Sequence, residues 1–281
     1  MIKVTIWGAR GSTPISGLGV SRYGGNTPCV EVSDDAGNIL IFDAGTGIRE
    51  LGRTLAGQVK RVNLLLTHLH MDHIQGLGFF APLFDPAVEV HIWGPASATY
   101  KLQTRLRRYL SPPLFPVRLR DLPAEVTLHE LPGPPFEIGP FHISSMMVAH
   151  PGPTLGYRIE TSESVVAYLP DHEPALGLEN FPLEGEWTSG YALAVGADIL
   201  IHDCQYSDEE YPGHIGWGHS AIGQVVKFAA LAGVKKLVPF HHDPSSDDED
   251  LDRLFAGAVN NPDYDFEIIP AVEGSTFEIG R

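Results

Sequence analysis

The sequence predicts an α/β protein layered as helix, sheet, sheet, helix: a four-layer αββα sandwich forming one domain over residues 1–281. Three observations predict it. Short β-branched or apolar runs alternate with stretches of helical spacing along the whole chain. Several of those runs are apolar throughout, as strands covered on both faces are. No linker-like segment divides the chain, and 281 residues with 43% hydrophobic side chains suffice for one large core.

Taken in order, "IKVTIW" is a strand entering a glycine turn. "CVEV", "NILIFDAG", "VNLLLTH" and "VEVHIWG" follow as strands closed by Gly, Asp or His. Between them "GIRELGRTL" and "SATYKLQTRLRRYL" carry helical spacing, and the proline-rich "SPPLFPVRLRDLP" is an irregular connection. "FHISSMMVAH" and "ADILIHDC" are further strands, and "LGYRIETSESVVAYLPD" is a hairpin turned at Ser162 to Ser164. "HSAIGQVVKFAALAGVKKLVPFHH" reads as a capped helix, a stop at Gly233 and a buried strand. "SSDDEDLDRLFAGAV" reads as a helix with a Ser cap and an acidic first turn, and "FEIIP" and "STFEIG" supply closing strands.

Composition narrows the function. A formal charge of -16 argues against a surface for duplex nucleic acid, whose affinity comes mainly from phosphate contacts. A small anionic substrate is still compatible with a locally positive pocket. Between Lys101 and Arg120 lie Lys101, Arg105, Arg107, Arg108, Arg118 and Arg120, either a solvated face or a phosphate-facing lobe. No window reaches the roughly 18 apolar residues of a membrane span, and the N-terminus does not read as a signal peptide, so a cytoplasmic location is expected. Cys29 and Cys204 are too few for a disulfide scaffold and read as reduced and structural. A homodimer is left open.

Chemistry must then come from histidines and carboxylates. "LLLTHLHMDHIQG" places His68, His70, Asp72 and His73 within six residues, directly after an apolar run. In an extended segment His68, His70 and Asp72 share one face, and a turn at Asp72 to Ile74 brings His73 to a neighbouring point. Burying four such groups without partners costs kilocalories per group, so metal coordination is the economical explanation. Two ions, one held by His68 and His70 and the other by Asp72 and His73, would give a two-metal hydrolytic site.

"THLHMDH" resembles the signature of the metallo-β-lactamase-fold hydrolases, and the resemblance extends over nearly the whole chain. It implies an αββα sandwich with the metal site at one edge of the two sheets, and three further ligands at later strand ends. His150 in "MMVAHPGPTLGYRIE" matches the first, and Asp171 in "VVAYLPDHEP" the bridging carboxylate, with Pro170-Asp171-His172 where many members carry Gly-Asp-Thr. His241 in "KKLVPFHHDP" matches the last, with His242 as its rival. Asp43 in "ILIFDAGTG" matches a position beneath the ligand loop, where a carboxylate orients it; without the resemblance it is a turn residue.

The branch resembled is the ribonuclease Z and phosphodiesterase group. "GARGSTP", Arg22 in "SRYGGNTP" and "LIHDCQYSDEEYPGHIGWGHSAIGQ" carry that likeness. The resemblance implies that Asp203 orients His219 and that His219 protonates the leaving oxygen, whereas packing alone would make His219 a helix cap. His172, His202 and His214 read as rim or packing residues. The expected function is hydrolysis of a small nucleotide-type phosphodiester, such as a cyclic nucleotide. Two divalent ions, zinc first with manganese or iron as alternatives, would activate the attacking water, with Asp72 and Asp171 at the reacting centre. No basic glycine-rich arm of the tRNA-processing type is visible, which with the net charge argues against tRNA. The alternatives are a lactone or thioester hydrolase on the same site and a non-catalytic metal-loaded sensor.

Overall fold

The computed structural model describes residues 1–176, 181–182, 184–259, 261 and 263–280. Its strands are β1 (Ile2–Gly8), β2 (Cys29–Asp34), β3 (Ile39–Phe42), β4 (Arg61–Leu65), β5 (Glu89–Pro95), β6 (Glu125–Leu131) and β7 (Phe136–Ile138). They continue as β8 (Phe141–Met147), β9 (Leu155–Glu160), β10 (Val165–Leu169), β11 (Ile199–Asp203), β12 (Lys236–Phe240), β13 (Glu267–Ile268) and β14 (Thr276–Ile279). The α-helices are α1 (Ile48–Leu55), α2 (Met71–Ile74), α3 (Leu102–Tyr109), α4 (Tyr191–Ala194), α5 (Ile222–Ala232) and α6 (Asp248–Ala256).

Among the described residues the strands form two seven-stranded sheets, in the orders β14-β1-β2-β3-β4-β5-β6 and β13-β12-β11-β10-β9-β8-β7. Alternation along the strands builds the layers. Val4, Ile6, Val32 and Phe42 of the first sheet meet Tyr157, Tyr168, Ile201 and Phe240 of the second in a buried central core. The opposite face of the first sheet packs under α1 and α3 through Ile48, Leu51, Leu102 and Leu106. That of the second packs under α5 and α6 through Val225, Phe228, Leu251 and Phe255. The expected αββα sandwich is what forms, because each sheet has two apolar faces to cover.

Local expectations need three corrections. The segment after β4 is not extended as far as Asp72: α2 begins at Met71, so Asp72 and His73 share a helical turn. The cap of α6 is Asp247, whose carboxylate accepts the N–H groups of Glu249 and Asp250 in a capping box, in place of the expected serine. α5 starts after Ala221 with no side-chain cap, so His219 does not cap it, while Gly233 ends it in the left-handed conformation as expected. Strands β6 and β7 and the short α4 lie where no element was expected. No described helix is long and apolar enough to cross a membrane, and Cys29 and Cys204 are free and buried.

Candidate active site

Seven candidate ligands converge at the edge shared by the two sheets. The first sheet supplies His68, His70, Asp72 and His73 from the turn after β4. The second supplies His150 beyond β8, Asp171 beyond β10 and His241 directly after β12, each from a strand end. Donor atoms of His68, His70, His150 and Asp171 all lie within 4.8 Å of one another. So do those of Asp72, His73, Asp171 and His241, which makes Asp171 common to both sets.

The turn is held from beneath. Asp43, fully buried after β3, accepts the Thr67 N–H at 2.7 Å and the Thr67 hydroxyl at about the same range, 2.9 Å. It also accepts Nδ1–H of His73 at 2.9 Å and the Tyr168 hydroxyl at 3.0 Å. Asp43 (φ 58) and His241 (φ 61) both sit in left-handed backbone, a strain of about 1–3 kcal/mol each that surrounding structure must impose. At Gly11 a side chain is excluded by close approach: a Cβ there would come within 2.5 Å of the His241 ring.

Hydrogen bonding fixes which nitrogen each histidine presents. Nδ1–H of His150 donates to the Gly218 carbonyl (2.8 Å), and that of His73 to Asp43. Because the Thr67 hydroxyl is spent on Asp43, its oxygen accepts from His68 Nδ1–H at 3.0 Å. Gln205 turns its amide nitrogen to Asp243 and its oxygen to His241 Nδ1 at 3.0 Å. All four rings therefore aim Nε2 at the cluster, where it meets carboxylates and can hold either a proton or a cation. His241 Nε2 lies 3.1 Å from Asp72 Oδ2 and 3.4 Å from Asp171 Oδ2. His73 Nε2 lies 2.9 Å from Asp171 Oδ1, without hydrogen-bond geometry, and both atoms, with His68 Nε2, are buried and unpartnered.

Lone pairs facing carboxylates are unfavourable unless a cation lies between them, and ligand histidines typically donate their outer N–H in this way. The residues present thus fit a divalent metal. The electrostatics agree: burial pushes the pKa values of His68, His70 and His150 down. His73 goes the other way; burial opposes its charge, but the carboxylates of Asp171, Asp72 and Asp43 outweigh it. Asp72 and Asp171 are held well below the usual carboxylate range, burial notwithstanding, by the surrounding imidazoles. The site demands positive charge.

His219 stands beside this cluster. Its Nδ1–H donates to Asp203 Oδ2 at 2.6 Å, and its ring stacks on His241 at 4.9 Å. Asp203, buried at the end of β11, also accepts the Ser220 N–H at 2.8 Å. Burial disfavours the imidazolium, but the Asp203 carboxylate more than compensates and raises the His219 pKa to about 9.

His242, the rival ligand, points away: it donates Nε2–H to the Ala271 carbonyl and packs on Tyr23 and Phe255. His172 and His202 pair with each other against Phe228, and His214 stacks on Tyr206. Arg22 is spent on Asp252 at the surface. The basic segment divides: Arg105 and Arg108 reach the cleft over His68 and His70, whereas Lys101, Arg107 and Arg120 line a separate cavity of ≈ 410 Å³ on the far side of α3.

Besides Thr67 and Tyr168, which bond Asp43, sequence reasoning missed two further supporting residues. Gln205 holds His241. Glu173, fully buried, accepts N–H from Gly216 (3.0 Å) and Gly218 (2.9 Å) and the Tyr211 hydroxyl (2.6 Å), fixing the loop whose Gly218 carbonyl orients His150. Each lies two residues after a singled-out aspartate, the one signal that could have found them.

Known proteins share this architecture. The ribonuclease Z of Thermococcus onnurineus is 25% identical over 286 residues, covering 87% of this chain and 88% of its own. The metallo-beta-lactamase fold protein YhfI from Bacillus subtilis superposes with a TM-score of 0.71 at 20% identity, over 98% of each chain. A diphosphatase from the PhnP family gives 0.70 at 20% identity, over 99% of this chain and 98% of that one. The family described as "Beta-lactamase superfamily domain" matches residues 38–242, more than half of the chain. The chain therefore belongs to the beta-lactamase superfamily, as a metal-dependent hydrolase with the αββα fold.

Proposed function

We propose that the protein hydrolyses a small nucleotide-type phosphodiester, such as a cyclic nucleotide, with two divalent metal ions. His68, His70 and His150 would hold one ion, Asp72, His73 and His241 the other, and Asp171 both, with zinc the first expectation and manganese or iron as alternatives. When bound, such ions make water nucleophilic at neutral pH and neutralise charge developing on phosphoryl oxygens. The observation that carries the choice of phosphodiester chemistry is the His219–Asp203 pair: an alkoxide is a poor leaving group, and His219, protonated at neutral pH, can deliver its proton. Asp203 keeps the ring oriented and charged. Asp43, Thr67, Gln205 and Gly218 fix the ligand rings before substrate arrives. The likeness to a ribonuclease Z and to a diphosphatase supports this reading.

Metal-loaded protein should turn over bis(p-nitrophenyl) phosphate in preference to a panel of lactones and thioesters. A preference for the acyl substrates would replace this reading with an acyl hydrolase, and no turnover of either with metal bound would favour a sensor.

A further inference from the structure

A cleft of ≈ 360 Å³ opens beside His68 and His70, between α3 and the turn at Pro151 to Pro153. That is the size of a site for one small organic group. Its walls are unlike the rest of the site. Met71 is 53% exposed and Leu114 69% exposed, and both face this opening with Tyr109 and Pro151. Apolar surface left in water beside a polar reaction centre is stabilised when an apolar ligand covers it.

The two arginines of the cleft differ. The guanidinium of Arg105 bonds the carbonyls of Pro95 and Tyr100 and lies 3.9 Å from Glu130. Arg108 makes no ion pair among the described residues and rests over the Tyr100 ring, 4.7 Å from its centroid. One wall therefore offers a cation with no carboxylate partner among the described residues. His219 does not line this cleft; it bonds Asp203 and its ring packs against both His241 at 4.9 Å and His150 at 5.1 Å, above the middle of the cluster.

These placements orient a diester. With its leaving oxygen beside His219, the substituent that stays on phosphorus points to the cleft over His70. We propose that this cleft selects phosphodiesters whose retained substituent is an apolar ring, read by Leu114 and Met71, with Arg108 available to an anionic group on it. The inference rests on the phosphodiesterase reading for its chemistry. On an acyclic diester, water adds to phosphorus, the P–O bond to the other substituent breaks, and that oxygen leaves as an alcohol with the proton from His219. The retained ring leaves as its phosphomonoester.

Phenyl phosphate and methyl phosphate, the product analogues with and without a ring, test it by calorimetric titration into metal-loaded protein. Phenyl phosphate should bind roughly 10-fold more tightly, the scale of one partly buried ring. Leu114→Asp should bring that ratio near one, with Met71→Ser as an independent second variant and metal content measured on both. Equal affinities in the unmodified protein, or a preference that survives both variants, would overturn the proposal. In a parallel arm, phenyl p-nitrophenyl phosphate should exceed methyl p-nitrophenyl phosphate in kcat/KM by a similar ratio, carried in KM. Selective binding with no turnover of either diester would overturn the phosphodiesterase reading and leave the cleft's selectivity standing; turnover without selectivity would do the reverse.

Discussion

Two groups of buried histidines lie side by side at the same edge of the second sheet, and they have opposite chemistry. His202 donates Nδ1–H to the Asp203 carbonyl and accepts from His172 through Nε2, so the pair is neutral and linked in a chain against Phe228. Burial pushes both pKa values down with little to oppose it. In the neighbouring cluster the outer nitrogens of His68, His73, His150 and His241 are just as well satisfied, but the inner nitrogens of His73 and His241 meet the carboxylates of Asp72 and Asp171. Burial does not separate the groups, since His68, His73 and His241 are as inaccessible as His172 and His202. What separates them is where the second ring nitrogen points, and whether a carboxylate waits there.

That contrast can be broken most forcefully at Asp171. Asp171→Ala should lower activity by at least about 10³-fold and reduce bound divalent metal from about two equivalents per chain, because it removes the carboxylate common to both sets. Elemental analysis that still finds two tightly held ions would erase the distinction.

His219→Ala should keep both ions and lose at least about 100-fold on alkyl-type diesters, but far less on nitrophenyl esters, whose leaving group departs unaided. The same group sets a pH limit. A general acid acts only while protonated, so turnover of alkyl esters should fall as pH rises through about 9, and this limb should be missing from the variant. Equal losses on both ester types would return His219 to a positioning role.

Smaller again is the effect expected at Asp43. Asp43→Ala leaves every ligand in place but unties Thr67 and His73, and metal affinity should weaken about 10–100-fold. Unchanged affinity in a chelator competition would show that the turn holds itself.

The smallest effect belongs to the packing pair. His202→Phe strands Nδ1–H of His172 and should cost about 1–3 kcal/mol of stability in denaturant unfolding while metal content stays the same. Loss of metal would mean that the two groups form one network after all.

Much of this contrast is legible in the amino-acid order. His68, His70, Asp72 and His73 announce themselves because four polar groups follow an apolar strand within six residues. The separation of His241 from His242 is not legible, because it depends on a left-handed backbone at His241 that turns one ring to the site and the next into the core. Asp72 was expected in an extended segment because alternation alone puts it beside His68; the helical turn of α2 wins because it also lets His73 reach Asp43. Glu173 and Gln205 stay hidden for another reason. Their partners are backbone amides or a ring some 36 to 45 residues away, and no local pattern encodes a distant N–H. Strand β6 was missed because its alternation, with Glu125, Thr127 and His129 between apolar residues, is that of a sheet-edge strand with one wet face.

The convergence of candidate ligands from both sheets would also make a metal-loaded centre a fastener. His73 and His241 are 168 positions apart in the chain, and in the unfolded ensemble nothing holds them together. An ion taken up by the native state alone adds RT ln(1 + [M]/Kd) to the free energy of unfolding, about 4 kcal/mol at a thousandfold excess over Kd. Metal supply would then govern how much folded protein persists, as well as how fast it works.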